Sequence, residues 1–382
     1  MVVIDRSARG TVRGTNLLAV YPDWEWLGLV SPMPMFFVAA GWANARSTPA
    51  TAVRRLRVLI GTSAVVIVAW SLLSIGELLI THRSDVLGDG AHIATQPLWF
   101  LAAYVPFAGW AHVTARFTTH IAPFILMCVA IVTISDVSRF VFDAPRWIGY
   151  PGFFATWIIP WSLGMWWRDA HETGARDEKT IGVALVAIGI IASAVLVRFF
   201  DYTPSLIDAV PGHRSNTTPP TLFTCAAALA QAGLVMWCGQ WLDGVAARRR
   251  HLLSRFNAAS LGIYVWHLSA VVLCAALIAL GVPMPTRFSL GWWIMRVPWF
   301  GTIIAVTAAL VWITQLFHRH STRDLADDTP SPRVIASGVS LVTIGATLTG
   351  LYGPRSLPLA SAMTGCFVGG WFLLSARATP RE

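Results

Sequence analysis

The chain has little charge and almost no lysine. Asp, Glu, Lys and Arg together make up 12% of its 382 residues, and Lys179 is the one lysine. With 55% hydrophobic residues and a positive mean hydropathy, this excludes an ordinary water-soluble globule. Motifs are missing too. None of the five cysteines, Cys128, Cys225, Cys238, Cys274 and Cys366, forms a Cys-x-x-Cys pair, and all fall in apolar stretches. Neither a zinc site nor a disulfide framework is indicated. There is no His-Glu-x-x-His for a metal-dependent hydrolase, no Gly-x-x-x-x-Gly-Lys-Ser/Thr for an ATP-driven pump and no Gly-x-Ser-x-Gly serine elbow. No basic run interleaved with exposed aromatics suggests a nucleic-acid surface. Residues 1–24 carry Arg6, Arg9 and Arg13 without an apolar core ahead of a small-residue cleavage site. They read as a tail, not as a signal peptide or a membrane helix.

What the chain does have is apolar runs of membrane length. A helix needs about 20 mostly apolar residues to cross a bilayer. Eleven runs are candidates: 25–42, 58–80, 97–115, 121–140, 152–167, 180–199, 220–242, 258–280, 297–317, 334–351 and 357–376. They predict an all-α fold, a polytopic transmembrane helical bundle of about 10–11 spans. Pro32 and Pro34 interrupt the first run, and the fifth is short. Nineteen tryptophans suit two interfacial belts. Alternating the connections puts seventeen basic residues on one side and eight on the other. The basic side holds 43–57, the block Arg248-Arg249-Arg250 and the C-terminus, and is expected to face the cytoplasm. A multi-pass protein of the plasma (inner) membrane is expected, with the lipid bilayer as its partner and no nucleic acid. The N-terminal arginines disagree, because an odd number of spans sends them outside.

An ionisable residue at bilayer depth costs roughly 2.5–3.5 kcal/mol when charged unless something compensates, so each is a functional hypothesis. His267 lies in the middle of the run 258–280. Tyr264 stands three residues before it and Ser260 a further turn back, which places a polar stripe on one helix face. Such a stripe suits a base or an oxygen-binding site. Packing by a hydrogen-bonded histidine is the alternative. Asp136 and Arg139 end the fourth run at a spacing that permits an intrahelical ion pair, either for neutralisation or for anchoring a substrate. Arg46, with Arg54, Arg55 and Arg57, forms a basic cluster that holds phosphates or simply anchors the cytoplasmic side.

The string Leu261-Gly262-Ile263-Tyr264-Val265-Trp266-His267 resembles the late-helix signature of the acyltransferase-3 family of integral membrane enzymes. Phe36-Phe37-Val38-Ala39-Ala40-Gly41-Trp42 followed by Arg46-Ser47 is similar to the family's second helix and basic turn, and Gln96-Pro97-Leu98-Trp99-Phe100-Leu101 to its Pro-Leu-Trp-Phe-Leu segment. Ser215-Asn216, Pro219-Pro220-Thr221-Leu222 and Gln231-Ala232-Gly233-Leu234 resemble a stretch of actinobacterial members. The resemblance covers about residues 24–317. It implies transfer of an acyl group from acyl-CoA, a co-substrate and not a tightly bound cofactor, to a hydroxyl or amine of an envelope glycan, glycolipid or other lipid acceptor. Such chemistry includes O-acetylation.

On that basis His267 and Tyr264 are the expected catalytic residues, and Arg46, Trp99, Asp136 and Arg139 the expected substrate-binding ones, with no metal. One part of the family pattern fails. The family's first-helix histidine, about eleven residues after an arginine, has no counterpart between Arg9 and Trp26, and Val20 or Tyr21 stands near its place. A missing first helix would explain both this gap and the misplaced arginines. The expected division is a tail at 1–24, a remnant of that helix on this reading, then an acyltransferase-3-like transmembrane domain at 25–317. Residues 318–382 are expected to be a cytoplasmic connection and two last helices. A transporter or flippase using His267, Asp136 and Arg139 as a path, or an inactive acyltransferase-like scaffold, are the alternatives.

Overall fold

The computed structural model describes residues 2–6, 12–16, 26, 28–29, 31–81, 86–174, 177–206, 214–286, 288–321 and 330–376. Two short strands, β1 (Val2–Arg6) and β2 (Val12–Asn16), pair with each other in the stretch expected to be a plain tail. Val20 and Tyr21 lie outside the described residues. Among the described residues thirteen α-helices of nine residues or more follow. They are α1 (Pro32–Asn44), α2 (Pro49–Thr81), α3 (Val86–Thr95), α4 (Leu101–Gly109), α5 (Ile121–Phe140), α6 (Tyr150–Thr173) and α7 (Glu178–Phe200). Then come α8 (Leu222–Trp237), α9 (Gly239–Arg248), α10 (Arg250–Ala279), α11 (Leu290–Ser321), α12 (Pro332–Leu351) and α13 (Leu357–Ser375). The chain is a multi-pass helical membrane protein.

Among the described residues seven helical runs are long and apolar enough to cross a membrane, and an eighth counts if α8 and α9, bent by 57°, are taken as one span. The expected runs 25–42, 97–115 and 152–167 are not among them. Pro32 and Pro34 divide the run 25–42 as expected and open α1, with Pro32 at the first helical position after the extended Ser31. There the missing N–H has no partner to lose. The third run is divided between a 3₁₀ turn (Gln96–Phe100), the nine-residue α4 with Pro106 inside it, and a break at Trp110. Helix α6 is about 36 Å long, enough to span, but its four tryptophans and two prolines dilute its apolar character.

The helices sort into two compact units. In the first, α6 is the central element, packed by α1, α5 and α8 and buried on all sides between Ala155 and Trp167. Trp161 is fully buried and donates from Nε1 to Thr114 Oγ1 at 3.3 Å, while Phe37 stacks on Trp157 at 5.1 Å. The crossing of α1 and α6 is set by glycine. A Cβ on Gly41 would run into the Trp161 carbonyl, and one on Gly164 into the Val38 carbonyl. Lipid tails are as apolar as Leu, so helices associate in a bilayer through such close packing and not through burial from water.

The second unit is built on α2, whose 33 residues pack against α13, α3, α4 and α10. Helix α12 lies on α4 and on the 3₁₀ turn, and it packs on α13 within this unit. Arg57 on α2 is buried and donates from Nε to the Leu374 carbonyl in the last turn of α13, an acceptor the helix itself leaves unpaired. Further bonds join neighbouring helices: Trp70 Nε1 to Ser269 Oγ and Trp266 Nε1 to Thr314 Oγ1, both at 2.9 Å. All five cysteines are free thiols.

Because the α1–α6 contact is backbone on backbone, neither side can yield by changing rotamer. Gly164→Ala is expected to destabilise the protein by more than the usual ~1–3 kcal/mol of an overpacked core. A thermal-aggregation assay of the detergent-solubilised chain should show a clear drop in midpoint relative to wild type, and Gly76→Ala, which meets open space, should not.

Candidate functional site

Tyr264 and His267 lie one turn apart on α10, in the second unit. The Tyr264 hydroxyl donates to the Pro97 carbonyl of the 3₁₀ turn at 3.2 Å, and its ring meets Phe100 edge-on at 4.9 Å. His267 Nδ1 lies 2.6 Å from the Tyr264 carbonyl oxygen. A carbonyl only accepts, so this nitrogen carries the hydrogen, and in the neutral ring the lone pair sits on Nε2. The ring is half-buried. Thus the helix backbone fixes both the tautomer and the orientation of the imidazole. Trp99 is on the same 3₁₀ turn but backs onto α12, where a Cβ at Gly350 would stand 2.9 Å from its own Cβ. The ring that meets Tyr264 is Phe100. Ser260, expected in the polar stripe, donates to its own helix at Asn257 O instead, at 2.8 Å.

Asp136, Arg139 and Arg46 belong to the first unit. Asp136 is 2% exposed and its Oδ2 accepts from the Tyr202 hydroxyl at 2.9 Å and from the Leu222 N–H at 2.8 Å. Leu222 opens α8, so the carboxylate also faces the positive end of a helix dipole. Arg139 Nη1 stands 3.5 Å from Asp136 Oδ1, and its guanidinium lies over Phe140 at 4.8 Å, as does that of Arg214. Burial and the neighbouring carboxylate push the Tyr202 phenol well above its ordinary value, so it remains a donor. Asn216 knits the adjoining loop, donating to the Thr203 and Ser205 carbonyls at 2.7 and 2.8 Å and accepting from the Thr221 hydroxyl at 2.9 Å. The loop clamps the α8 end on which Asp136 relies.

Arg46 is held elsewhere, by Asp169 at 3.2 Å and Glu172 at 3.0 Å near the far end of α6, where Arg168 also bonds Glu172 at 2.8 Å. The Arg139 side chain lies against Gly149, just before α6 begins. A helix of about 36 Å therefore separates the two clusters. Beside Arg46, His171 Nδ1 and Trp167 Nε1 reach Glu178 at 2.9 and 2.7 Å, and Trp42 packs on Trp167 at 4.4 Å. The hydrogen bond from Arg168 holds Glu172 below the ordinary carboxylate range. At the N-cap of α7 the Thr180 hydroxyl and amide do the same for Asp177.

Sequence reading found Asp136–Arg139 and Tyr264–His267 as pairs. Asn216 and Pro97 entered only within family-like strings, and Tyr202, Asp169 and Glu172 were not among the candidates. Of these three Glu172 carried a signal, its i,i+4 spacing from Arg168.

Arg139→Met is expected to leave Asp136 buried without its charge partner and to cost about 3–5 kcal/mol. Tyr202→Phe removes one hydrogen bond and should cost about 1–3 kcal/mol. Denaturant titration in mild detergent would rank them. Equal, negligible losses would show that the carboxylate is neutral or hydrated in the folded protein. Acidification acts on the far cluster. Stability from Glu172 and Asp177 is present above the unfolded carboxylate value and lost as pH falls through their depressed values. Amide protection factors around residues 168–174 and 177–180, taken relative to the intrinsic exchange rate at each pH, should therefore fall selectively as pH drops below the ordinary carboxylate range.

Comparison with known proteins locates this architecture. An acyltransferase-domain model, that of the acyltransferase-3 type, matches residues 32–316, about three quarters of the chain and inclusive of Arg46, Trp99, Asp136, Arg139, Tyr264 and His267. No curated protein and no solved structure matches. A half-buried imidazole held in one tautomer, set within a polytopic helical bundle and inside the matched region, is thus found in a chain that belongs to the acyltransferase-3 family of membrane acyltransferases.

Proposed function

We propose that this protein moves an acyl group from acyl-CoA to a hydroxyl or amine of an envelope carbohydrate, glycolipid or similar acceptor, with His267 as general base. The observation that carries the reading is the bond from His267 Nδ1 to the Tyr264 carbonyl, which leaves Nε2 as the open lone pair. In the step envisaged, the acceptor oxygen attacks the thioester carbonyl carbon while Nε2 takes the hydroxyl proton. The carbon–sulfur bond breaks, and the coenzyme thiolate leaves and takes up the proton from the imidazolium. An ester and the free thiol result. An amine acceptor gives an amide by the same steps. Tyr264, anchored to Pro97, is a positioning residue for this ring.

A plasma-membrane setting with the C-terminus in the cytoplasm is part of this reading, and the excess of arginine on one set of connections supports it if the runs 25–42, 97–115 and 152–167 also cross. Arg46 falls in that set and is the proposed contact for the anionic part of the donor. It is already paired with Asp169 and Glu172, so a phosphate would compete with these carboxylates for it. Tyr202 and Leu222 occupy Asp136 Oδ2, and Arg139 is its charge partner at Oδ1, which supports a structural role ahead of direct substrate contact.

Membranes carrying the chain should incorporate labelled acyl groups from acyl-CoA into envelope extracts. His267→Ala should lower turnover by about 10²–10⁴-fold, the usual loss for a general base. Tyr264→Phe, which frees the Pro97 carbonyl, should lower it less. Full turnover in His267→Ala would assign the base elsewhere, and incorporation from another acyl donor but not from acyl-CoA would replace the donor while keeping the acyl transfer.

A further inference from the structure

Helix α9 stands apart in its chemistry from the helices around it. It turns 57° away from α8 after Cys238, and among its residues only Gly239 is buried. Trp241 is 65% exposed and Leu242 39% exposed, and at 100° per residue these two share one side with Val245. The opposite side carries Gln240 and Asp243, while Arg248 follows Val245 by one turn at the edge of the apolar side. Trp237, one turn back across the bend, is also 48% exposed. The helix ends in Arg248, whose Nε donates to the Gly244 carbonyl at 3.0 Å, and in the exposed Arg249 at its C-cap. Among the described residues Trp241 stays largely uncovered and Leu242 and Val245 partly so, yet a Trp and a Leu side by side are poorly suited to water.

We infer that α9 is an interfacial helix that lies on the bilayer surface and binds anionic lipid. Trp241, Leu242 and Val245 would enter the boundary between headgroups and acyl chains, and Arg248 and Arg249 would meet the lipid phosphates. Two independent features of α9 support this placement. One is the amphipathic pattern on a helix that leaves the direction of its predecessor, the arrangement expected of a helix in the interface plane. The other is charge: the apolar side runs directly into the sequence Arg248-Arg249-Arg250, and basic residues at the surface each favour an anionic leaflet. A tryptophan pair at headgroup depth fits the same placement. This does not depend on the catalytic role of His267.

The test uses the full chain in lipid nanodiscs of phosphatidylcholine with and without phosphatidylglycerol. A photo-crosslinking benzoyl-phenylalanine at position 241 is expected to give lipid adducts. Amide exchange across residues 239–249 is expected to slow by roughly tenfold when phosphatidylglycerol is present, and the double variant Arg248→Gln/Arg249→Gln should abolish that difference while keeping the lipid adduct. Crosslinks to a second copy of the chain in place of lipid would overturn the inference in favour of a self-association surface. The absence of any adduct, or exchange equal in the two bilayers, would overturn it as well.

Discussion

Hydrocarbon offers no hydrogen-bond partner, so every polar group at bilayer depth must be answered from within the protein. Much of the structure follows from that. Many Ser and Thr hydroxyls in the long helices bond the carbonyl one turn back, as Thr62, Ser63, Thr307 and Thr349 do. Longer polar side chains reach across instead. Trp70 finds Ser269, Trp266 finds Thr314, and Arg57 finds the open end of α13. Asp136 needs the most help, and receives a phenol, a backbone amide, a helix terminus and a guanidinium.

The same constraint explains how much was legible in the sequence. Apolar runs announce helices, and residues three or four apart on a helix announce each other, so the helical bundle, Asp136–Arg139 and Tyr264–His267 could be read directly. Partners distant along the chain could not. Tyr202 and Leu222 come to Asp136 from 66 and 86 positions away, and Glu172 comes to Arg46 from 126. Nothing in local periodicity encodes such meetings. At α1 the prolines do divide the run 25–42, and what the sequence leaves open is on which side of them the helix forms. A proline within an apolar run breaks a helix in its middle but begins one at its edge, and the difference lies in where the preceding residues go.

His267 shows how a modest local contact can prepare a chemical group. Its partner is a carbonyl of its own helix, which needs no distant element and survives movement of neighbouring helices. An acyltransferase that admits a bulky donor and acceptor can shift its helices around such a ring without losing the ring's tautomer.

Helix α6 has a consequence for the membrane itself. Its start adjoins the Arg139 side chain and its last turns hold Arg168 and Glu172, so polar clusters are pinned at both ends of one stiff rod. Neither cluster can be drawn into hydrocarbon cheaply, and the rod does not shorten. The surrounding bilayer must therefore adjust its thickness to the protein, or the unit must tilt, and membranes of different lipid composition will accommodate it with different ease.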